Sequence, residues 1–196
     1  MSNQTHSGTK TVYLTFDDGP DPRWTPRILD ILAASGAKAT FFAVGQQARR
    51  HGVLLRRIAI EGHGVGNHTW SHRHPRFLGS DASRREVRDG RSAIEDTLGE
   101  RPMLFRPPHG YLNPSMAEEA RRSGHTIVLW TLSAVDWGPL GRSRGIARRL
   151  ARMQAGDIVL MHDHGWGINR PRQLVSVLPH QLRILTMQGL RSVRLH

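Results

Sequence analysis

The chain has 196 residues, 38% of them hydrophobic, and no cysteine. This length predicts one globular domain with a sizeable core, and the lack of cysteine excludes disulfides and thiol catalysis. No apolar run approaches a membrane span, and the polar N-terminus lacks the apolar segment of a signal peptide. We therefore predict a disordered lead-in over residues 1–9 and a single domain over residues 10–196. Either the protein is cytoplasmic or its export signal is missing from this sequence.

The formal net charge is +12, with 28 lysine and arginine residues against 16 acidic ones. A nucleic-acid-binding protein often has such a charge, but its basic residues then cluster and alternate with stacking aromatics. Here the arginines are scattered over several predicted helices, for example at 49–50, 121–122 and 148–149. We interpret them as a solvated surface and expect no nucleic acid partner.

Short apolar runs alternate with amphipathic segments along the chain. Predicted strands cover residues 11–16, 39–44, 64–67, 103–106, 126–131, 157–161 and 191–195. Predicted helices cover residues 25–36, 53–61, 80–98, 113–124, 143–153 and 173–188. Thr25 is expected to cap the first helix, and Pro179 is expected to kink or split the last one.

This alternation predicts an α/β fold with a parallel sheet buried under helices. Roughly seven strands are enough for a closed or nearly closed barrel, although the regular (β/α) barrel has eight. An open doubly wound sheet is the alternative. The barrel is favoured because chemically reactive side chains follow five of the predicted strands, and the carboxyl ends of barrel strands share one face.

Two histidines, His68 and His72, stand four residues apart after the third predicted strand. A turn-like or helical path places such a pair on one side of the backbone, as a metal site requires. A carboxylate from Asp17 or Asp18, after the first strand, would complete a two-histidine, one-carboxylate set with open positions. Zinc with a bound water fits this set, and non-haem iron oxygenases use the same one. An oxygenase is disfavoured because its usual scaffold is rich in β structure.

Hydrolysis at such a site needs a base, an acid for the leaving group and a group that stabilises the oxyanion. Neighbouring residues at a strand end point to opposite sides, so the carboxylates of Asp17 and Asp18 need not do one job: one can bind a metal while the other handles a proton. Asp17 and His162 are available as base and acid. Arg106 and Asp136 carry opposite charges that would orient or tune them.

Five ordered motifs carry a resemblance to a known family. They are TFDDGP at 15–20, HTWSH at 68–72, FRPPHGY at 105–111, SAVDW at 133–137 and LMHD at 160–163. With these motifs the sequence resembles the polysaccharide deacetylases of carbohydrate esterase family 4, the group with the NodB-homology domain. The resemblance implies a deformed (β/α) barrel and one divalent metal ion, commonly zinc, with cobalt or nickel tolerated. It also implies removal of N-acetyl groups from N-acetylglucosamine units of chitin oligosaccharide or peptidoglycan.

The same resemblance implies a role for individual motif residues. The implied metal ligands are Asp18, His68 and His72. The implied catalytic residues are Asp17 as base, His162 as acid, Arg106 as the partner of Asp17, and Asp136 as the partner of His162. The residues expected to contact substrate are His109, whose backbone amide would hold the oxyanion, Tyr111, and Trp137 and Leu160, which would wall the acetyl pocket. Trp130 is expected to lie in the core.

Two positions depart from the family pattern. His109 stands where the family usually has tyrosine, and Ser133 where it often has aspartate. His74 and His164, beside motif positions, are expected to be surface histidines. Two alternatives stay open: an O-acetyl esterase acting on xylan or a related glycan, and an inactive domain that binds glycan or polyanion. The intact motif residues argue against the second, and we expect a monomer with an N-acetylated glycan as its partner.

Overall fold

The computed structural model describes residues 10–196, so the lead-in predicted for residues 1–9 lies outside the described residues. The strands are β1 (Lys10–Asp17), β2 (Ala39–Ala43), β3 (Gly64–Asn67), β4 (Leu104–Phe105), β5 (Thr126–Ile127), β6 (Leu132–Ser133), β7 (Ile158–His162) and β8 (Leu190–Ser192). The α-helices are α1 (Thr25–Ala34), α2 (Gly45–Arg50), α3 (Gly52–Ile60), α4 (Ser80–Leu98), α5 (Pro114–Arg122), α6 (Ser143–Leu150) and α7 (Pro171–Met187). Within residues 10–196, none of these helices combines the length and apolarity needed to span a bilayer.

Seven strands lie side by side in the order β5-β4-β3-β2-β1-β7-β6, and β8 pairs with β1 off this path. All of the strand pairs are parallel. The central strand β1 places Asp17 opposite both Phe42 of β2 and His162 of β7. The predicted α/β architecture, a deformed barrel with about seven parallel strands, is confirmed.

The predicted strand over residues 126–131 is wrong as a single strand. Its first part pairs with β4 as β5, whereas β6 begins only at Leu132 and pairs with β7 at the other edge of the sheet. The connecting backbone continues both pairings, with Val128 N–H donating to Phe105 (2.8 Å) and Thr131 N–H donating to Ile158 (3.0 Å). One segment therefore joins the two sheet edges, and it cannot form a continuous ladder with either.

The main hydrophobic core lies between the sheet and its covering helices. Phe16 of β1 stacks on Phe41 of β2 with ring centroids 5.0 Å apart. Helix α1 buries Ile28, Leu29 and Leu32 completely in the same cluster. The central strands β1 and β2 are buried along most of their length, as expected of parallel strands under helices.

Several helix predictions need correction. Helix α2 was missed because its sequence, GQQARR, has no apolar periodicity. Helix α6 ends at Leu150, before the predicted end, and α7 runs unbroken through Pro179. Thr25 is not the cap of α1. Its hydroxyl accepts a hydrogen bond from the Asp21 amide (2.8 Å) and donates to the Asp163 carboxylate (2.5 Å), so it fastens the loop after β1 instead.

Helix α4 packs directly against the loop that carries the two motif histidines. Gly90 makes the close approach possible, because a Cβ atom there would lie 2.5 Å from Asn67 Oδ1 and 2.5 Å from the Thr69 carbonyl carbon. The loop is fastened to α4 by the Asn67 side-chain amide, which donates to the Val87 carbonyl (2.9 Å).

We predict that Gly90→Ala destabilises the protein, although helix propensity alone would favour alanine by about 1 kcal/mol. The expected loss is roughly 1–3 kcal/mol, because backbone at Thr69 must move to admit the methyl group. Denaturant unfolding measures the change. Ser92→Ala, at an exposed position of the same helix, is the matched control and should change stability little. A stabilised Gly90→Ala protein would contradict the packing argument.

Candidate active site

Residues at the carboxyl ends of β1, β3, β4 and β7 converge on one cavity of about 270 Å³. Its lining residues are Asp17, Asp18, His68, His72, His109, Trp130, Trp137, Leu160, His162, Ile168 and Asn169. A larger cavity of about 680 Å³ at the opposite end of the barrel, around His63 and Arg194, contains none of the predicted site residues. The motifs therefore meet at one face, as the barrel prediction requires.

The two aspartates at the end of β1, Asp17 as its last residue and Asp18 directly after it, enter the same cavity, contrary to the expectation that they point to opposite sides. Asp17 keeps the strand conformation, but Asp18 has a left-handed backbone with φ 81°. This turn brings both carboxylates to one imidazole, with His68 Nε2 3.7 Å from Asp17 Oδ2 and 3.5 Å from Asp18 Oδ1. The expectation assumed that strand geometry continues through Asp18, but the strand ends at Asp17.

Asp18, His68 and His72 form a metal-binding site. One ligand atom from each residue lies within 4.8 Å of the other two. Asp18 Oδ1 is 3.1 Å from His72 Nε2. His68 Nδ1 donates to the Arg106 carbonyl (2.7 Å), which fixes the tautomer and leaves the Nε2 lone pair facing the carboxylate. Asp18 Oδ1 is buried and has no hydrogen-bond partner, so the atom best placed to bind a cation is otherwise unsatisfied.

The electrostatics of this site favour the protonation states that bind metal. Burial alone would raise the pKa of Asp18, but the neighbouring imidazoles of His68, His162 and His72 lower it well below its usual range. Burial lowers the pKa of His72 to about 4, and Asp18 offsets this only in part. An ionised carboxylate and a neutral imidazole are the forms that coordinate a divalent ion.

Arg106 lies beneath the site and is fully buried. Its Nη1 donates to Asp17 Oδ1 (2.8 Å) and to the Thr15 hydroxyl (2.7 Å). The guanidinium also lies over the Phe42 ring, with its central carbon 4.1 Å from the centroid. One oxygen of Asp17 is thus held by Arg106, while the other faces the cavity.

His162 and Asp136 form the second buried pair. Asp136 accepts from both the ring Nδ1 and the backbone amide of His162, each at 2.8 Å. The ring orientation therefore leaves Nε2 for the cavity. Burial alone would lower the pKa of His162, but the charge of Asp136 and its hydrogen bond raise it to about 10. The edge of the Trp137 ring packs beside this imidazole, 5.3 Å between centroids.

Left-handed backbone at residues other than glycine concentrates in the motif loops. Among residues 10–196, the non-glycine residues with positive φ are Asp18, Thr69, His72, His109 and Val135. Each belongs to a motif or lies directly beside a proposed functional residue, and such strained positions typically mark functional sites. His109 (φ 58°) sets its ring edge-on to His72, with centroids 4.9 Å apart.

Five other residues singled out in the sequence meet different outcomes. Leu160 and Trp137 line the cavity as expected, whereas Tyr111 lies outside it and is 45% exposed. Trp130 was expected in the core and instead lines the cavity, half-buried, with Arg106 5.8 Å from its centroid. Ser133, in place of the aspartate common in the family, accepts from the Val135 amide (3.1 Å) and shapes the turn before Asp136.

Asn169 is a site residue that sequence reasoning missed. Its side-chain amide donates to Asp18 Oδ2 (2.7 Å), the oxygen that does not face the two histidines. The surrounding loop is fastened to the Asp136 segment, with Gly138 N–H donating to Ile168 (2.8 Å) and Arg170 N–H donating to Asp136 (2.7 Å). In the sequence Asn169 is one polar residue in a loop, and no spacing distinguishes it from its neighbours.

Comparisons with known proteins agree with this geometry. The profile of the polysaccharide deacetylase family matches residues 4–128. A peptidoglycan-N-acetylglucosamine deacetylase of Bacillus cereus is 37% identical over 186 residues, which cover 94% of this chain and 85% of the relative. A chitooligosaccharide deacetylase of Sinorhizobium fredii is 35% identical over 80% of this chain and 74% of the relative. The solved structure of a family 4 carbohydrate esterase from Streptomyces lividans in complex with acetate superposes with a TM-score of 0.86 at 32% identity, covering 95% of this chain and 93% of that one.

We predict that Asn169→Ala weakens divalent-metal binding by about 10- to 100-fold, the usual cost of losing a partner that orients a ligand. The Asp18 carboxylate would lose the donor that directs Oδ1 toward the histidines. Titration of the metal-free protein with Zn²⁺ against a competing chelator measures the affinity. Ile168→Ala, in the same loop, keeps the backbone pairing with Gly138 and should bind Zn²⁺ normally. Equal affinities in the two variants would show that Asn169 does not orient Asp18.

Proposed function

The chain belongs to the polysaccharide deacetylase family, carbohydrate esterase family 4, and we propose that it hydrolyses the N-acetyl groups of N-acetylglucosamine units in peptidoglycan or chitin oligosaccharide. As a polysaccharide deacetylase it acts on a glycan. The observation that carries the finer proposal is the pairing of Asp17 and His162 across neighbouring strands. A proton acceptor and a proton donor thereby stand side by side in one small cavity.

Asp18, His68 and His72 are proposed to hold one divalent ion, with Zn²⁺ the first choice and Co²⁺ or Ni²⁺ as substitutes. Two nitrogens and one oxygen form a ligand set that zinc accepts with positions left open for substrate and water. When bound, such an ion supplies Lewis acidity, which polarises a carbonyl and makes a water easier to deprotonate.

The proton transfers are assigned to Asp17 and His162. Asp17 Oδ2, the oxygen not held by Arg106, accepts a proton from the water whose oxygen adds to the acetyl carbon. The backbone N–H of His109 is proposed to donate to the oxyanion that forms there. His162 Nε2 then donates its proton to the sugar nitrogen as the C–N bond breaks, which releases acetate and a free amine.

The basicity of His162 favours amide over ester hydrolysis. An amine leaves an amide only when its nitrogen is protonated, so the reaction needs a donor that is protonated at neutral pH. The Asp136 carboxylate provides this by raising the pKa of His162 to about 10. An O-acetyl esterase on xylan, whose alkoxide leaves with less help, remains the alternative, and an inactive glycan-binding or polyanion-binding domain is the alternative from another class.

Release of acetate from peptidoglycan, chitin oligosaccharides and acetylated xylan tests the proposal. We expect release from at least one of the first two, whereas release from xylan alone would favour the esterase. Asp17→Asn should lose roughly 10²- to 10⁴-fold in turnover, since an amide cannot accept the water proton. The variant keeps an acceptor for Arg106 and should bind Zn²⁺ as the parent does. Near-normal turnover in Asp17→Asn would refute the base assignment, and glycan binding without any acetate release would favour the inactive domain.

The pH profile tests the acid assignment. His162 acts only when protonated, so kcat/KM should hold at neutral pH and fall as the pH rises through the pKa of His162. Asp136→Asn removes the carboxylate that raises this pKa from its ordinary value of 6.5, so the alkaline fall should move to lower pH and the rate at neutral pH should drop. Glu118→Gln, which removes a half-buried carboxylate of α5 that does not line the cavity, should leave the profile unchanged. An alkaline limb that stays in place in Asp136→Asn would contradict the assignment.

A further inference from the structure

A continuous row of aromatic rings rises from the metal-binding site to the protein surface in two directions. On one side His109 lies 4.9 Å from His72, His74 stacks on His109 at 4.6 Å, and Phe77 lies 5.3 Å from His74, all between ring centroids. On the other side Trp166 lies 5.6 Å from His72. We call this row, consisting of Phe77, His74, His109, His72 and Trp166, the aromatic wall.

The outer rings of the wall are exposed to solvent, although each has a histidine ring on one side. Phe77 is 79% exposed and Trp166 is 47% exposed. Together with Tyr111, which lies 5.7 Å from His74, they are the aromatic members of the large hydrophobic residues exposed within residues 10–196. All three thus lie in the loops around the cavity, and exposed apolar side chains grouped at a cleft mark a binding surface.

We propose that the aromatic wall is an extended glycan-binding surface, on which Phe77 and Trp166 stack against sugar rings on either side of the N-acetylglucosamine unit that is deacetylated. The proposal rests on the proposed function, because it takes the cavity at His72 as the place where the acetyl group reacts. Pyranose rings present flat faces of C–H groups, and these faces pack on aromatic rings. Polar hydroxyl groups at the ring edge stay in water, so a half-exposed aromatic surface suits a glycan better than it suits a protein core.

The order of the rings indicates which of them lie at the reacting sugar and which lie at its neighbours. His72 and His109 lie within the reaction cavity, whereas Phe77 and Trp166 do not line it. His74 stands between Phe77 and His109, with its plane within 18° of the latter. Phe77 is therefore separated from the reacting sugar by the His74 ring, and a sugar that contacts Phe77 belongs to a neighbouring unit of the chain. We therefore expect kcat/KM to be higher for longer oligosaccharides.

The test is the dependence of kcat/KM on oligosaccharide length. In the parent protein we expect kcat/KM to rise from the chitin dimer to the hexamer. Phe77→Ala and Trp166→Ala should each reduce the hexamer-to-dimer ratio by roughly three- to tenfold, the scale of one aromatic contact. Phe77→Tyr keeps a flat ring and should restore the ratio. Ile60→Ala, 84% exposed at the opposite end of the barrel, is the matched control and should leave the ratio as it is in the parent.

The possible outcomes distinguish a failure of the aromatic-wall proposal from a failure of the proposed function. Deacetylation with an unchanged length ratio in Phe77→Ala and Trp166→Ala would overturn the wall while leaving the function intact. If no oligosaccharide is deacetylated, calorimetric binding of the hexamer and the dimer to the same variants decides. A preference for the hexamer that depends on Phe77 and Trp166 would support the wall without the activity, and equal binding by all variants would refute it.

Discussion

The guanidinium of Arg106 is a fully buried charge, and satisfying it organises both the barrel and the site. Its Nη1 donates to Asp17 and Thr15, while Nε and Nη2 donate to the carbonyls of Val128 and Leu129, each at 3.2 Å. Those two carbonyls belong to the segment that joins the sheet edges, where no neighbouring strand is available to bond them. Breaking such a buried pair typically costs about 3–5 kcal/mol, because the remaining charge has no partner. The same side chain thus closes the barrel and fixes the proposed base.

Arg106 also connects the base to the metal-binding site through its backbone. Its carbonyl accepts from His68 Nδ1, so the residue that holds Asp17 also sets the tautomer of a proposed metal ligand. Its amide donates to the Asn67 carbonyl (3.0 Å), which ties β4 to the start of the histidine loop. Ligand and base therefore cannot shift independently. Preorganisation of this kind keeps the developing charge of a reaction in a fixed polar environment, which is where enzymes gain most of their rate.

The sequence was sufficient to predict the barrel and the motif residues, because both rest on local patterns. Apolar runs predict buried strands, and polar residues directly after them predict a shared face. The sequence did not predict three features, and each of them depends on contacts between residues that are distant in the chain. Asn169 bonds to Asp18, which lies 151 positions away in the sequence. Trp130 faces a cavity that is assembled from other strands. The segment after Thr126 is divided between β5 and β6 because it runs from one edge of the sheet to the other. The direction of Asp18 was predicted wrongly for a different reason. A positive φ outside glycine is uncommon, and the higher frequency of aspartate in this region is too weak a signal to identify the position.

The proposed catalytic residues and the proposed substrate contacts occupy different parts of the molecule. The proposed base and acid stand on the ends of paired central strands, where backbone hydrogen bonds and buried partners hold them. Phe77 and Trp166 stand on loops, where little else constrains the side chain and substitution disturbs no core. Loops vary more readily than the scaffold that carries them. The same reaction can therefore be combined with different glycan contacts by changing the outer rings. His109 belongs to the cavity instead, and its ring joins His72 to the stacked His74 and so links the reaction cavity to the surface.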